Sequence, residues 1–150
     1  MANPSSPNPR GRILLVDDNS LGLAARRSVL EELGHQVQTS AAGAEALELC
    51  GQHVFDVVVT DYKMPKMSGV ELIVRLRKLR PATAVILISG FTDTLGLNEA
   101  STGADIVLQK SNNEVPQLIR AVNRLLRKQQ APKKSVSSQG AAKVEKRKTR

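Results

Sequence analysis

Two stretches of this chain, Phe55 to Asp61 (FDVVVTD) and Ala84 to Gly90 (AVILISG), are apolar and β-branched almost without interruption. A strand with one face in water alternates apolar and polar side chains, so continuous runs of this kind need cover on both faces and belong in the centre of a parallel sheet. The rest of the sequence supplies that cover. Short apolar runs at Ile13 to Val16, Val37 to Ser40, Phe55 to Thr60, Ala84 to Ser89 and Ala104 to Leu108 alternate with segments of helical periodicity, which gives five strands interleaved with five helices and an α/β fold class.

The last helix has the clearest pattern. Val115, Leu118, Ile119, Val122, Leu125 and Leu126 recur at three- and four-residue steps, while Arg120, Arg124, Arg127 and Lys128 take the other side. The first helix follows Asn19 and Ser20, either of which can cap it, repeats Ala25, Val29 and Leu33 with Leu30 beside them, and ends at Gly34. The third places Leu72, Ile73, Leu76 and Leu79 on one side and is stopped by Pro81. The fourth, TDTLGLNEASTG, contains Gly96 and few strong helix formers, so it is expected to be short or mobile.

Charge and composition confine the fold to the middle of the chain. Residues 131–150 hold seven Lys/Arg and one Glu, so they carry +6 of the formal net charge of +8. With Val136 and Val144 as their only sizeable apolar side chains, residues 130–150 are expected to form a disordered basic tail. Residues 1–11, with Pro4, Pro7 and Pro9 among Asn and Ser, are expected to be a disordered leader. One cysteine, Cys50, excludes an intramolecular disulfide, and His35 and His53 with it make no zinc cluster. No apolar run reaches the roughly 18 to 20 residues of a membrane span, and no signal peptide is evident, so the expected location is cytoplasmic.

In an open parallel α/β sheet, ligands bind beyond the carboxyl ends of the strands. Here those positions are polar: Asp17 and Asp18 follow the first strand, Asp61 the third, Ser89 ends the fourth and Lys110 follows the fifth. Clustered carboxylates repel one another unless a cation neutralises them, and hard oxygen ligands suit Mg²⁺. Metal, ammonium and hydroxyl together would cradle a phosphoryl group, and a carboxylate such as Asp61 can accept one as an aspartyl phosphate. Taken singly, each residue has a plainer role: an Asp at a strand end caps or turns, a lone Ser turns, and a lone Lys is solvated. The coincidence of all five with the strand ends favours a site.

These residues also carry a resemblance. ILLVDDN (13–19), VVVTDYKMPKMSGVELI (57–73), ILISG (86–90) and GADIVLQK (103–110) resemble the receiver domain of bacterial two-component response regulators, over about residues 12–129. The resemblance implies a doubly wound, flavodoxin-like three-layer sandwich with a five-stranded parallel sheet of order 2-1-3-4-5. It implies that Asp61 accepts a phosphoryl group from a histidine kinase, and that Asp17, Asp18, Asp61 and the main-chain carbonyl of Lys63 hold Mg²⁺. Ser89 would bond a phosphoryl oxygen and Lys110 would pair with the phosphoryl group. Met64, Pro65 and Gly69 would shape the loop behind the acceptor.

The chain departs from the family pattern in two places. Receivers usually carry an aromatic residue three positions before the lysine, whose rotation reports phosphorylation at the face of helix 4, strand 5 and helix 5; here that position is Val107. The lysine is commonly followed by proline, often across a cis peptide; here Ser111 follows, and a trans peptide is expected.

About 20 residues beyond the last helix leave no room for a helix-turn-helix output domain. The expectation is a single-domain response regulator that is not an enzyme beyond its own phosphorylation and dephosphorylation. Its partners would be a sensor histidine kinase or phosphotransfer protein and a downstream protein target. An alternative is a phosphorylation-tuned protein whose basic tail binds nucleic acid without sequence preference; that tail has no aromatic residue for base stacking. A free-standing Mg²⁺ phosphatase would need a cap insertion that these short connections do not supply. Family members often form homodimers through the helix 4, strand 5, helix 5 face, and the sequence leaves that question open.

Overall fold

The computed structural model describes residues 9–90 and 95–130, so the expectations for most of the leader, for the tail and for residues 91–94 lie outside the described residues. The strands are β1 (Arg12–Val16), β2 (Gln36–Ser40), β3 (Val57–Asp61), β4 (Ala84–Ser89) and β5 (Ile106–Gln109). The helices are α1 (Ser20–Glu32), α2 (Gly43–Gln52), α3 (Gly69–Leu79), α4 (Glu99–Thr102) and α5 (Glu114–Gln130). All four strand pairings are parallel and the sheet order is β2-β1-β3-β4-β5, as the resemblance implies.

The two-residue side-chain period of a strand sorts the central residues into two cores. Ile13, Leu15, Val57, Val59, Ile86 and Ile88 face α1 and α5, where they meet Leu23, Leu30, Leu118, Val122, Leu125 and Leu126. Leu14, Val16, Val58, Val85 and Leu87 face the other way, onto Ala46 and Cys50 of α2 and Leu72, Ile73 and Leu76 of α3. β3 and β4 are buried along their whole lengths, which accounts for their lack of alternation. No described helix is long and apolar enough to cross a membrane.

Helix ends follow local chemistry. The Asn19 side chain accepts from the Leu21 and Gly22 N–H groups and caps α1. At the other end Gly34, at φ +97°, lets the Gly34 and His35 N–H groups bond back to the Glu31 and Leu30 carbonyls, a Schellman closure. Ser68 and Glu71 cap α3 reciprocally. α4 is a single turn closed by Gly103 at φ +82°, in keeping with the short helix expected there. Glu99 of this turn accepts the outward Val107 N–H of edge strand β5 at 2.9 Å.

The buried face of α1 differs from the one its apolar residues indicate. Leu23, Arg26 and Leu30 are buried, whereas Val29 and Leu33 are half-buried and Ala25 is exposed. The stripe includes a charged side chain, which apolar periodicity does not register. In α5 Ala121 joins the buried face, while Ile119 is half-buried and Val115 lies at its edge, 36% exposed. Bonding also reaches ahead of Arg12: the Gly11 N–H donates to His35 Nδ1 at 3.1 Å and the Gln36 N–H to the Gly11 carbonyl at 3.0 Å.

One close approach ties the fold to the strand ends. Gly69, the first residue of α3, donates its N–H to the Tyr62 carbonyl at 2.8 Å, and a Cβ there would meet the Asp61 carbonyl oxygen and Leu87 Cδ1 at 2.8 Å. Overpacking of this kind costs about 1–3 kcal/mol. Gly69→Ala is therefore expected to destabilise the fold by about that amount in urea unfolding. Gly51→Ala, in α2 with open space around its Cβ, is expected to be neutral or slightly stabilising under the same conditions.

Candidate functional site

At the carboxyl end of the sheet, Asp17, Asp18, Asp61, Ser89 and Lys110 line one cleft of about 620 Å³, with Lys63, Met64 and Pro65 on its rim. Every residue singled out for chemistry in the sequence is brought there. The parallel sheet does this directly, because its strand ends all lie on one edge: Asp61 pairs with Ile88, next to Ser89, and Ser89 pairs with Gln109, next to Lys110. The Lys110 N–H continues the ladder onto the Ser89 carbonyl at 2.9 Å. The Lys110–Ser111 peptide is trans, as expected without proline.

The three carboxylates are held differently. Asp17 is 2% exposed; its Oδ1 accepts the Asn19 N–H at 3.0 Å and its Oδ2 accepts Arg26 Nη1 at 2.8 Å. Asp18 is exposed and Asp61 is 4% exposed. Lys110 Nζ lies 2.8 Å from Asp61 Oδ1, an ion-pair contact off the axis of a well-directed hydrogen bond, and among the described residues no other partner reaches that buried oxygen. Burial pushes the Asp61 carboxyl above the usual carboxylate range; the neighbouring Asp17 charge adds to this, and Lys110 and Arg26 oppose it without reversing it.

One oxygen from each of Asp17, Asp18 and Asp61 lies within 4.8 Å of the others. Three hard oxygen donors, one of them on an Asp61 carboxylate that among the described residues is met at Oδ1 only by the Lys110 ammonium, fit a divalent cation of the Mg²⁺ type, which takes one or two carboxylates and keeps several waters. Lys63 is an exposed rim residue of the same cleft.

Two residues of the site escape a reading by strand ends. Arg26 enters from α1 and Glu114 from the first turn of α5, and Arg26 Nε donates to Glu114 Oε2 at 2.8 Å. Burial works against the Arg26 charge, but the Glu114 and Asp17 carboxylates more than offset it and hold its pKa above the usual value. The signal was present in the helix register: Arg26 stands three residues after Leu23 and four before Leu30, inside the buried stripe.

Because the Asp61 carboxyl is raised, its ionised form costs stability in the cation-free protein. The cost is complete above the folded-state pKa and vanishes as pH falls below the unfolded value of about 3.9. Asp61→Asn is accordingly expected to raise the melting temperature in chelator at neutral pH, with the gain shrinking as pH falls into the acid range; if the cleft takes Mg²⁺, the substitution is expected to remove most of the rise that added Mg²⁺ gives the unsubstituted protein. Thermal melts across pH with and without Mg²⁺ check all three.

The sequence profile of the response regulator receiver domain matches residues 13–123. The chain is 39% identical over 103 residues to the virulence sensor protein BvgS of Bordetella pertussis, covering 66% of this chain and 8% of that protein. It is 35% identical over 132 residues to a gliding motility regulatory protein of Myxococcus xanthus, covering 83% of this chain and 17% of that one. It therefore spans only a small part of either relative's length. Among solved structures, the receiver domain of Francisella response regulator 1452 superposes with a TM-score of 0.73 at 31% identity, covering 80% of this chain and 99% of that one. The response regulator TrrA of Thermotoga maritima, in complex with Mg²⁺-BeF, superposes with a TM-score of 0.69 at 31% identity, covering 76% and 97%. With its sheet order, its acidic cleft and this profile match, the chain belongs to the response regulator receiver domain family, the phosphoacceptors of two-component signalling.

Proposed function

We propose that residues 12–129 act as a Mg²⁺-dependent receiver, in which Asp61 takes a phosphoryl group from a phosphohistidine of a sensor kinase or phosphotransfer protein, and that the phosphorylated form binds a downstream protein. The observation that carries this reading is the Asp61 carboxylate, buried at a strand end in an ion pair with Lys110 and with Asp17 and Asp18 beside it. The Mg²⁺-BeF complex of TrrA supports the choice of cation. That one relative is called a sensor protein and another a regulatory protein supports the place in a signalling chain.

In this mechanism Asp17, Asp18, Asp61 and the Lys63 main-chain carbonyl would hold Mg²⁺, which would supply positive charge against the phosphoryl oxygens. The chain's residues do the rest. An Asp61 carboxylate oxygen attacks phosphorus, the phosphorus–nitrogen bond of the donor histidine breaks, and the imidazole nitrogen leaves with the electron pair. Lys110, 2.8 Å from Asp61 Oδ1, is placed to transfer its ion pair to the incoming phosphoryl group. Ser89, at the end of β4 in the lining of the same cleft, would donate its hydroxyl to another phosphoryl oxygen. Attack of water on the phosphorus then breaks its bond to Asp61, releasing inorganic phosphate and returning the carboxylate, so in this reading the protein acts as a switch on its own phosphoryl group. Val107 lacks a ring to rotate, so a changed β5–α5 loop, not an aromatic swing, would carry the signal outward.

The test is the intact mass after incubation with acetyl phosphate and Mg²⁺. One added phosphoryl group is expected, absent in Asp61→Asn and absent with chelator; an adduct that survives Asp61→Asn would overturn the assignment of the acceptor. Lys110→Ala is expected to lower the yield of adduct at a fixed time by about 10-fold or more, on the scale of losing one charge-stabilising group at a transition state.

A further inference from the structure

We propose that Arg26 is a positioning residue that couples cation binding at Asp17 to the first turn of α5 through its bond to Glu114. The inference rests on the Mg²⁺ reading above.

Arg26 occupies a place in α1 where the stripe calls for an apolar side chain, and its side chain is 7% exposed. A guanidinium taken so far from water is tolerated only when anions meet its donors. It has two: Nη1 donates to Asp17 Oδ2 and Nε to Glu114 Oε2, both at 2.8 Å. The rigid planar fork fixes the two carboxylates relative to each other, which a lysine ammonium could not do. Gly22 leaves the space this needs, since a Cβ there would stand 3.2 Å from Asp17 Oδ2.

Asp17 is thus shared between Arg26 and whatever cation enters the cleft. A divalent ion there draws on the same negative charge that holds Arg26, and Arg26 in turn opposes the ion. Glu114 sets the strength of that opposition: the more of the guanidinium charge it neutralises, the less bears on Asp17. Binding linkage is reciprocal, so a cation at Asp17 must shift Arg26 toward Glu114 by the same free energy that Glu114 contributes to cation affinity. Glu114 lies in the first turn of α5, and its N–H donates to the Ser111 carbonyl at 3.2 Å, so it belongs to the loop that Lys110 begins. Asp61 grips one end of this loop through Lys110 and Asp17 grips the other through Arg26 and Glu114. With Val107 in place of the usual ring, this loop is where occupancy of the cleft is felt.

The experiment is titration of the full chain with MgCl₂, followed by calorimetry and by fluorescence of Tyr62, the one tyrosine in a chain without tryptophan and next in sequence to Asp61. Glu114→Gln, which alters a residue outside the acidic cluster, is expected to weaken Mg²⁺ binding by about fivefold, within the usual range of coupling between sites. Arg26→Met is expected to tighten it. In the Arg26→Met background Glu114→Gln is expected to leave the Kd where it is, and Mg²⁺ is expected to slow amide exchange at residues 113–115, 117 and 118 only when Arg26 is present. Should Arg26→Met not fold, Arg26→Lys serves in the same cycle, with a reduced Glu114→Gln effect expected. An unchanged Kd in Glu114→Gln, or an equal change with and without Arg26, overturns the coupling while leaving the metal reading intact. No Mg²⁺ binding by the unsubstituted chain overturns both.

Discussion

Three carboxylates meet at one end of this sheet, and their mutual repulsion is the constraint around which the site is arranged. With oxygens within 4.8 Å of one another, each ionised pair costs roughly 3 kcal/mol at an effective dielectric constant of about 20. Buried as they are, Asp17 and Asp61 cannot leave that cost to water. Two internal cations take its place: Arg26 on Asp17 and Lys110 on Asp61. They come from different connections, one from the middle of α1 and one from the loop after β5, so neutralising the strand ends also fixes the helices that flank them.

The division of labour between these cations is unequal. Arg26 is enclosed and makes two directed bonds, which suits a fixed part of the frame. Lys110 is 41% exposed and meets Asp61 in a single ion-pair contact, which leaves its ammonium open to solvent on the cleft side. A carboxylate whose proton affinity is raised by burial, faced by a movable ammonium, is poised for a ligand that brings its own charge balance.

Much of this was legible in the sequence, for physical reasons that differ by element. β3 and β4 announce themselves because burial on both faces leaves only apolar side chains and the β-branched Thr60 in them until Asp61 and Ser89. Those residues are legible as a site because a parallel sheet must send all its strand ends to one edge. The order of strands came from resemblance to a known family, since pairing between distant segments leaves no local trace. The face of α1 was misjudged because its stripe contains Arg26, and charge hides a buried position from any count of apolar side chains. Glu114 was invisible for a related reason: an acidic residue in the first turn of a helix is well placed for the helix dipole whether or not it has another partner. Gly11, just ahead of β1, bonds through its backbone to His35 and Gln36, and in the sequence it has only the look of a loop residue.

The bond from Glu99 to the Val107 N–H has a consequence for how copies of the molecule can meet. An edge strand with free outward amides invites another chain to extend the sheet, by ordered pairing or by aggregation. Here a carboxylate from the preceding turn already occupies the middle amide of β5. It also sets a negative charge along the rim, where an approaching backbone carbonyl would find repulsion and no donor. Growth of the sheet past β5 is blocked at that point, and an assembly on this side of the protein must be built from side-chain surfaces, which a change in the adjoining loop can make or break.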